Sequence, residues 1–183
     1  MVAIVLLTII SYYTGMDTGY RDYRKLYMVW TQPKMENESR NPSPMSFGPF
    51  SQHINEELSD LVESSTVLAN FYSGGYFKMD GQEVNSMGVA ADSLFFKTMG
   101  IEVLKGDPVI DLTQKDVVYL SESYALMIFG GDDPIGEVLK YNNEWELTVK
   151  GIYRDLPDNV TTPHKAVISM PSLWSREWGN YSW

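Results

Sequence analysis

The sequence predicts an α+β domain with mixed sheets, and three patterns carry that prediction. Short apolar or alternating runs that suit strands recur along the chain, among them 117–120 and 144–149. Capped or amphipathic stretches that suit helices stand between them, at 49–62, 92–100 and 121–131. Two dipeptides with hairpin chemistry, Asp80-Gly81 and Asn142-Asn143, sit between strand-like flanks. The expected order is strand, helix, strand, hairpin, helix, strand, helix, hairpin, strand. That order allows two βαβ-like halves, since each strand-helix-strand can close right-handedly. A chain of 183 residues suits one domain or two small lobes and can bury a real core.

The first sixteen residues carry no charged side chain, and 2–10 is apolar except for Thr8. A bilayer needs about 20 apolar residues, so this run cannot span one as it stands. As an export signal it lacks a basic start and an Ala-x-Ala site, and a buried strand is the other reading. Within 17–27, Arg21, Arg24 and Lys25 form a small basic cluster. They could meet lipid headgroups, but ion pairing with Asp17 and Asp22 is the expectation. Leu26, Met28 and Trp30 alternate with Tyr27, Val29 and Thr31, which predicts a central strand. Residues 32–46 are a loop by their proline, asparagine and serine content.

Pro49 opens a predicted helix whose Phe50, Ile54, Leu58, Leu61 and Val62 make an apolar stripe expected to be core. Thr66 to Tyr72 is strand-like, and the Asp80-Gly81 hairpin follows between Tyr76 and Val89. Asp92 can cap a short helix that Gly100 ends, with Phe95 or Phe96 as its buried anchor. Val117 to Leu120 reads as a buried strand. Ser121 caps the next helix, in which Ala125, Ile128 and Phe129 fall near one face and Gly130-Gly131 end it. Asp132-Asp133-Pro134-Ile135-Gly136 is turn chemistry. Trp145, Leu147 and Val149 then alternate with polar residues, and a bulge at Gly151 would let Ile152 turn inward. Residues 164–170 read as a last strand, with Ala166 and Ile168 on one face. Trp174, Trp178, Tyr181 and Trp183 leave an aromatic end that packs on the core or serves as an interaction surface.

Charge and composition narrow the function. The formal charge of −10 argues against a nucleic-acid partner and, more weakly, against docking on anionic lipid. Without cysteine there is no disulfide, thiolate chemistry or Cys-rich metal site.

The ordered set of motifs from Ala91 to Asn159 resembles a known family. It comprises Phe95-Phe-x-x-Met-Gly-Ile-x-x-Leu-x-Gly106 and Ser121-Glu-x-x-Ala125 with Phe129-Gly130. Asp132-Asp-Pro-Ile-Gly136 and Thr148-Val-x-Gly-Ile-x-x-Asp-x-Pro-x-Asn159 complete it. Together these look like the extracytoplasmic, periplasmic core domain of MacB-type, FtsX-like ABC transporter permeases. The resemblance implies that 1–16 is the outer end of a clipped transmembrane helix. Residues 17–99 and 160–183 would be a porter-like lobe, incomplete at the C-terminus, and 100–159 a smaller inserted α/β lobe. It further implies a place at the outer face of the cytoplasmic membrane and coupling of ATPase-driven motion to export or extraction of a substrate. Its partners would be a separate ABC ATPase subunit or segment, an envelope protein and a second permease copy. The alternative from another class is a ligand-binding extracytoplasmic sensor domain; a hydrolase is a weaker third.

Candidate chemistry is sparse. His53 and Glu57 are four apart on a predicted helix, as a metal pair would be, but the other histidine, His164, is on a distant segment. Asp132 and Asp133 are adjacent in a turn and diverge, which makes a poor catalytic pair. Asp107 and Asp111 could bind calcium, yet lack EF-hand spacing. Ser73-Gly74-Gly75 has no following Lys-Ser/Thr and opens no helix, so it is no phosphate cradle. The sequences Asn37-Glu38-Ser39 and Asn159-Val160-Thr161 match the glycosylation sequon, a motif short enough to recur by chance. The expectation is therefore no catalytic, cofactor or metal residues and no enzyme activity.

Overall fold

The computed structural model describes residues 17–32, 34–35, 38–39, 41–44, 49–70, 75–79, 81–86, 88–157, 160 and 164–176. The apolar run at 1–16, both sequons' asparagines, Ser73-Gly74, Asp80 and the last three aromatic residues lie outside them. A 3₁₀ turn at Tyr23–Lys25 leads to a short antiparallel pair, β1 (Lys34–Met35) and β2 (Glu38–Ser39), inside the expected loop. There follow α1 (Phe50–Glu57), β3 (Leu68–Asn70), β4 (Tyr76–Met79), β5 (Gln82–Asn85), β6 (Gly88–Ala91) and α2 (Phe95–Met99). Next come β7 (Val103–Lys105), α3 (Pro108–Asp111), β8 (Val117–Ser121), α4 (Glu122–Phe129) and β9 (Val138–Tyr141). The described chain closes with β10 (Trp145–Tyr153), β11 (Ala166–Ser169) and α5 (Met170–Trp174).

Nine of these strands form one mixed sheet in the order β3-β6-β11-β8-β10-β9-β4-β5, with β7 on the far end of β10. The α+β expectation is met. Two pairs are parallel, β6 with β11 and β8 with β10, and each has helix between its members. Both hairpins are present. Met79 pairs with Gln82, which joins β4 and β5 as an antiparallel hairpin. Tyr141 pairs with Trp145 across a tip in which Asn142 and Asn143 both adopt positive φ.

Alternation along the central strands gives the sheet two apolar faces. Val118 and Leu120 join Leu147, Val149, Ile168 and the α4 residues Tyr124, Ala125 and Phe129 in one cluster. Val117 and Tyr119 join Val89, Val167, Tyr153 and the α2 pair Phe95 and Phe96 in the other. Every residue of β8 is buried, as its apolar run predicts. In β10 the alternation breaks at Gly151, where the register with β8 shifts. Ile152 thereby lands on the same face as Leu147 and Val149. The cause is steric: a Cβ on Gly151 would stand 2.0 Å from Cε1 of Tyr119. The ring needs the space, and a bulge keeps the strand paired around it.

Two expectations fail. Residues 26–30 form no strand: Leu26 packs against the second cluster, while Tyr27 is 87% and Met28 71% exposed. Their residue types suit a sheet, but β-propensity is realised only where a neighbouring strand offers an edge. The apolar stripe of 50–62 is not core either. Helix α1 stops at Glu57, Leu61 is 84% exposed, and Ser51 is the buried residue of the helix.

Candidate functional site

The polar contacts explain how α1 is held, and they centre on Asp92. Its carboxylate accepts from Thr66 Oγ1 at 2.7 Å, Val67 N at 3.0 Å, Leu94 N at 3.1 Å and Ser51 Oγ at 3.3 Å. Asn55 pairs with the backbone of Ser65 in both directions, at 2.6 and 3.0 Å. So α1 docks through Ser51 and Asn55, one turn apart on one face, and not through its apolar stripe. Asp92 does accept from a backbone N–H ahead of α2, as expected, but its larger role is to tie three segments together. Gly100 ends α2 in the left-handed conformation, with Ile101 N donating to Phe96 O at 2.9 Å.

The acidic candidates are engaged in the fold. Asp107 sits at the N-terminus of α3 and accepts from Val109 N at 3.1 Å. Asp111 accepts from Asp107 N at 3.1 Å and from the Tyr119 hydroxyl at 2.5 Å. Burial first, then that bond to Asp111, pushes the Tyr119 phenol far up. Asp133 accepts from Ile135 N within its own turn and pairs with Lys105 Nζ at 3.0 Å. The bond from Lys105 holds its carboxyl below the ordinary value. No group of three metal-ligating side chains gathers among the described residues.

His53 and Glu57 lie on α1, whereas His164 precedes β11 and contacts Phe95 and Tyr153. His164 is buried, its ring edge-on to Phe95 at 5.9 Å between centroids, and its carbonyl accepts from Tyr153 Oη at 2.8 Å. Burial lowers the imidazole to about 4. That is the environment of a packed core side chain, not of a ligand or base open to substrate.

Ser121 stands at the N-terminus of α4 with extended backbone, but its hydroxyl makes no cap bond and is buried without a partner. The cap comes from elsewhere. Asp155 accepts from Ser123 Oγ at 2.7 Å and from Ser123 N at 3.2 Å. Beside it, Arg154 reaches Glu102 at 3.2 Å and Glu122 at 3.5 Å, joining the chain before β7 to the start of α4. Asp155 carries the charge that complements the positive end of the helix. Its place in the family-like motif was visible; its partner, thirty-two residues earlier, was not.

The basic cluster also departs from expectation. Among the described residues, no carboxylate oxygen lies within 4 Å of Arg21, Arg24 or Lys25. Arg24 instead donates from Nε to Tyr23 Oη at 3.1 Å and lies over that ring.

This geometry defines a packed scaffold whose acids and glycines serve the sheet, with exposed polar and aromatic surface around it. The pattern of the MacB-like periplasmic core domain family covers residues 1–182, and the chain belongs to that family. Two solved structures share the fold. One is a domain described as part of a permease protein from Porphyromonas gingivalis, 20% identical with a TM-score of 0.57, over 73% of this chain and 60% of that one. The other is the periplasmic region of MacB from Actinobacillus actinomycetemcomitans, 17% identical with a TM-score of 0.53, over 69% and 56%. At these identities the likeness is one of fold, and the chain spans well under two thirds of either structure's length. No curated protein matches.

Proposed function

We propose that this chain is the non-catalytic extracytoplasmic domain of an ABC transporter permease, facing the periplasm or cell exterior at the outer face of the cytoplasmic membrane. It passes motion driven by a partner ATPase to a substrate or an envelope partner, and a second permease copy stands beside it. The observation that carries this reading is the family match along 1–182. The engagement of Asp107, Asp111, Asp133 and Asp155 in caps, hydrogen bonds and an ion pair supports a mechanical role over a chemical one.

The division into a porter-like lobe (17–99 and 160–183) and an inserted lobe (100–159) belongs to the same proposal. The two segments meet along β11 with β8 and along β4 with β9. Motion received by one would reach the other through those hydrogen-bonded seams. The test is made in the parent permease, reconstituted with its ATPase and spin-labelled at the exposed positions Glu57 and Lys140. The distance between label pairs on the two copies should change when ATP is bound and return after hydrolysis. An ATPase cycle that leaves every such distance unchanged sinks the proposal.

A further inference from the structure

The segment from Tyr20 to Trp30 presents a surface that the fold itself does not use. We propose that it is a headgroup-binding surface, which seats the domain on the anionic phospholipid face of the membrane. The proposal rests on the extracytoplasmic reading above.

The segment is fixed to the body at two points. Tyr20 is buried in the second core cluster, and Leu26 packs against the same cluster. Arg21 lies so close to Gly100 that a Cβ there would stand 2.8 Å from its own. Between these anchors the 3₁₀ turn carries Arg24 and Lys25, both exposed, as is Arg21. None of the three cations is ion-paired among the described residues, and the contact of Arg24 with the Tyr23 ring leaves its charge in place. Lys97, exposed in the last turn of α2, adds a fourth cation three residues before the Gly100 that Arg21 packs on. The acid of the segment is Asp22, which is exposed, and Asp17, just before it in the chain, already has an interaction within the chain.

Directly beyond the cations, Tyr27, Met28 and Trp30 are 87%, 71% and 58% exposed. Exposed cations followed directly in the chain by amphipathic aromatics are what a headgroup layer takes up. Guanidinium and ammonium groups reach phosphate oxygens, and indole and phenol rings settle between polar and apolar depth. Continuity along the chain points to the same occupant, because the uncharged run 1–16 ends four residues before Tyr20. The overall charge of −10 does not forbid this, since acids more than about 8–10 Å from the surface are screened at physiological salt.

The experiment uses the full chain with vesicles of phosphatidylcholine, alone or mixed with phosphatidylglycerol, and reads co-flotation and tryptophan fluorescence. The run 1–16 contributes to both vesicle types, so the basic surface is read in the ratio of the two affinities. A basic side chain close to an anionic surface adds about fivefold. With Asp22 opposing the three cations of the segment, the expected preference for the phosphatidylglycerol vesicles is about 25-fold at low salt. The combined variant Arg21→Ala, Arg24→Ala, Lys25→Ala should lose that preference yet keep its affinity for neutral vesicles, with an unchanged circular dichroism spectrum. Trp30→Ala should weaken binding to both. Equal affinity for the two vesicle types overturns the proposal, as does a preference that survives in the triple variant. A permease whose domains do not move with ATP would leave the vesicle result standing, so the two failures are distinguishable.

Discussion

Tyr119 occupies the tightest place in the interior. Its ring fills the space a Cβ at Gly151 would need, and its hydroxyl lies 2.5 Å from where a Cβ at Gly106 would stand. That hydroxyl donates to Asp111. Gly151→Ala should therefore lower stability by about 1–3 kcal/mol, seen as an earlier denaturant midpoint, because ring or strand must shift. Tyr119→Phe keeps the ring and should cost about 1–2 kcal/mol through the lost bond. If Gly151→Ala melts like the parent, the bulge has another cause. The other residue-scale prediction concerns acid. His164 titrates near 4 in the folded protein, against an ordinary 6.5, because burial disfavours the imidazolium. A depressed value means that the unfolded chain takes the proton first. The contribution is thus complete above about pH 6.5 and is lost as pH falls towards 4, by up to about 3 kcal/mol. His164→Gln should flatten that part of the stability profile relative to the parent; two parallel profiles would refute the assignment.

Helices and strands differed in how far their neighbours in sequence announce them. Strand β8 needs no context, since four consecutive apolar residues flanked by polar ones have few places but the middle of a sheet. The hairpins are equally local, written in the turn residues themselves. For α4 the position of the start was legible, but Ser121 takes no part in its cap and Asp155 does. Removing that carboxylate with Asp155→Ala should cost about 1 kcal/mol, whereas Ser121→Ala should cost no cap bond at all. Equal losses in the two variants would reverse the roles. Phe129→Ala, by contrast, empties the buried anchor of α4 and should cost about 3–5 kcal/mol in a denaturant melt. The misread elements, 26–30 and α1, share a cause. Periodicity reports which face is apolar, and only a partner decides whether that face is covered. For α1 the deciding contacts are polar, through Asp92, a residue thirty-five positions beyond the helix.

At the scale of the whole molecule, the nine-stranded sheet draws strands from segments far apart in sequence, so its order was beyond local reading. Strand β6 meets β11 some eighty residues later, and β4 meets β9. The type of most elements could be read locally, although β1, β2, β7, α3 and α5 carry no comparable signal, while the seams depend on which edges find each other. The proposed headgroup surface was legible as composition, in three cations and a run of aromatics, but their lack of ion-pair partners among the described residues is a fact of three dimensions. Strand β10 has a further consequence, mechanical in kind. It is held by five registered positions on parallel β8, by four on β9, and by two on β7 next to an irregularity. Tension applied along β10 loads the β8 contacts in shear, so that they must yield together, while β7 is gripped at two positions and can peel. A pull that enters the domain near Tyr153 therefore tears β7 away first and leaves β8 and β10 travelling as one rod.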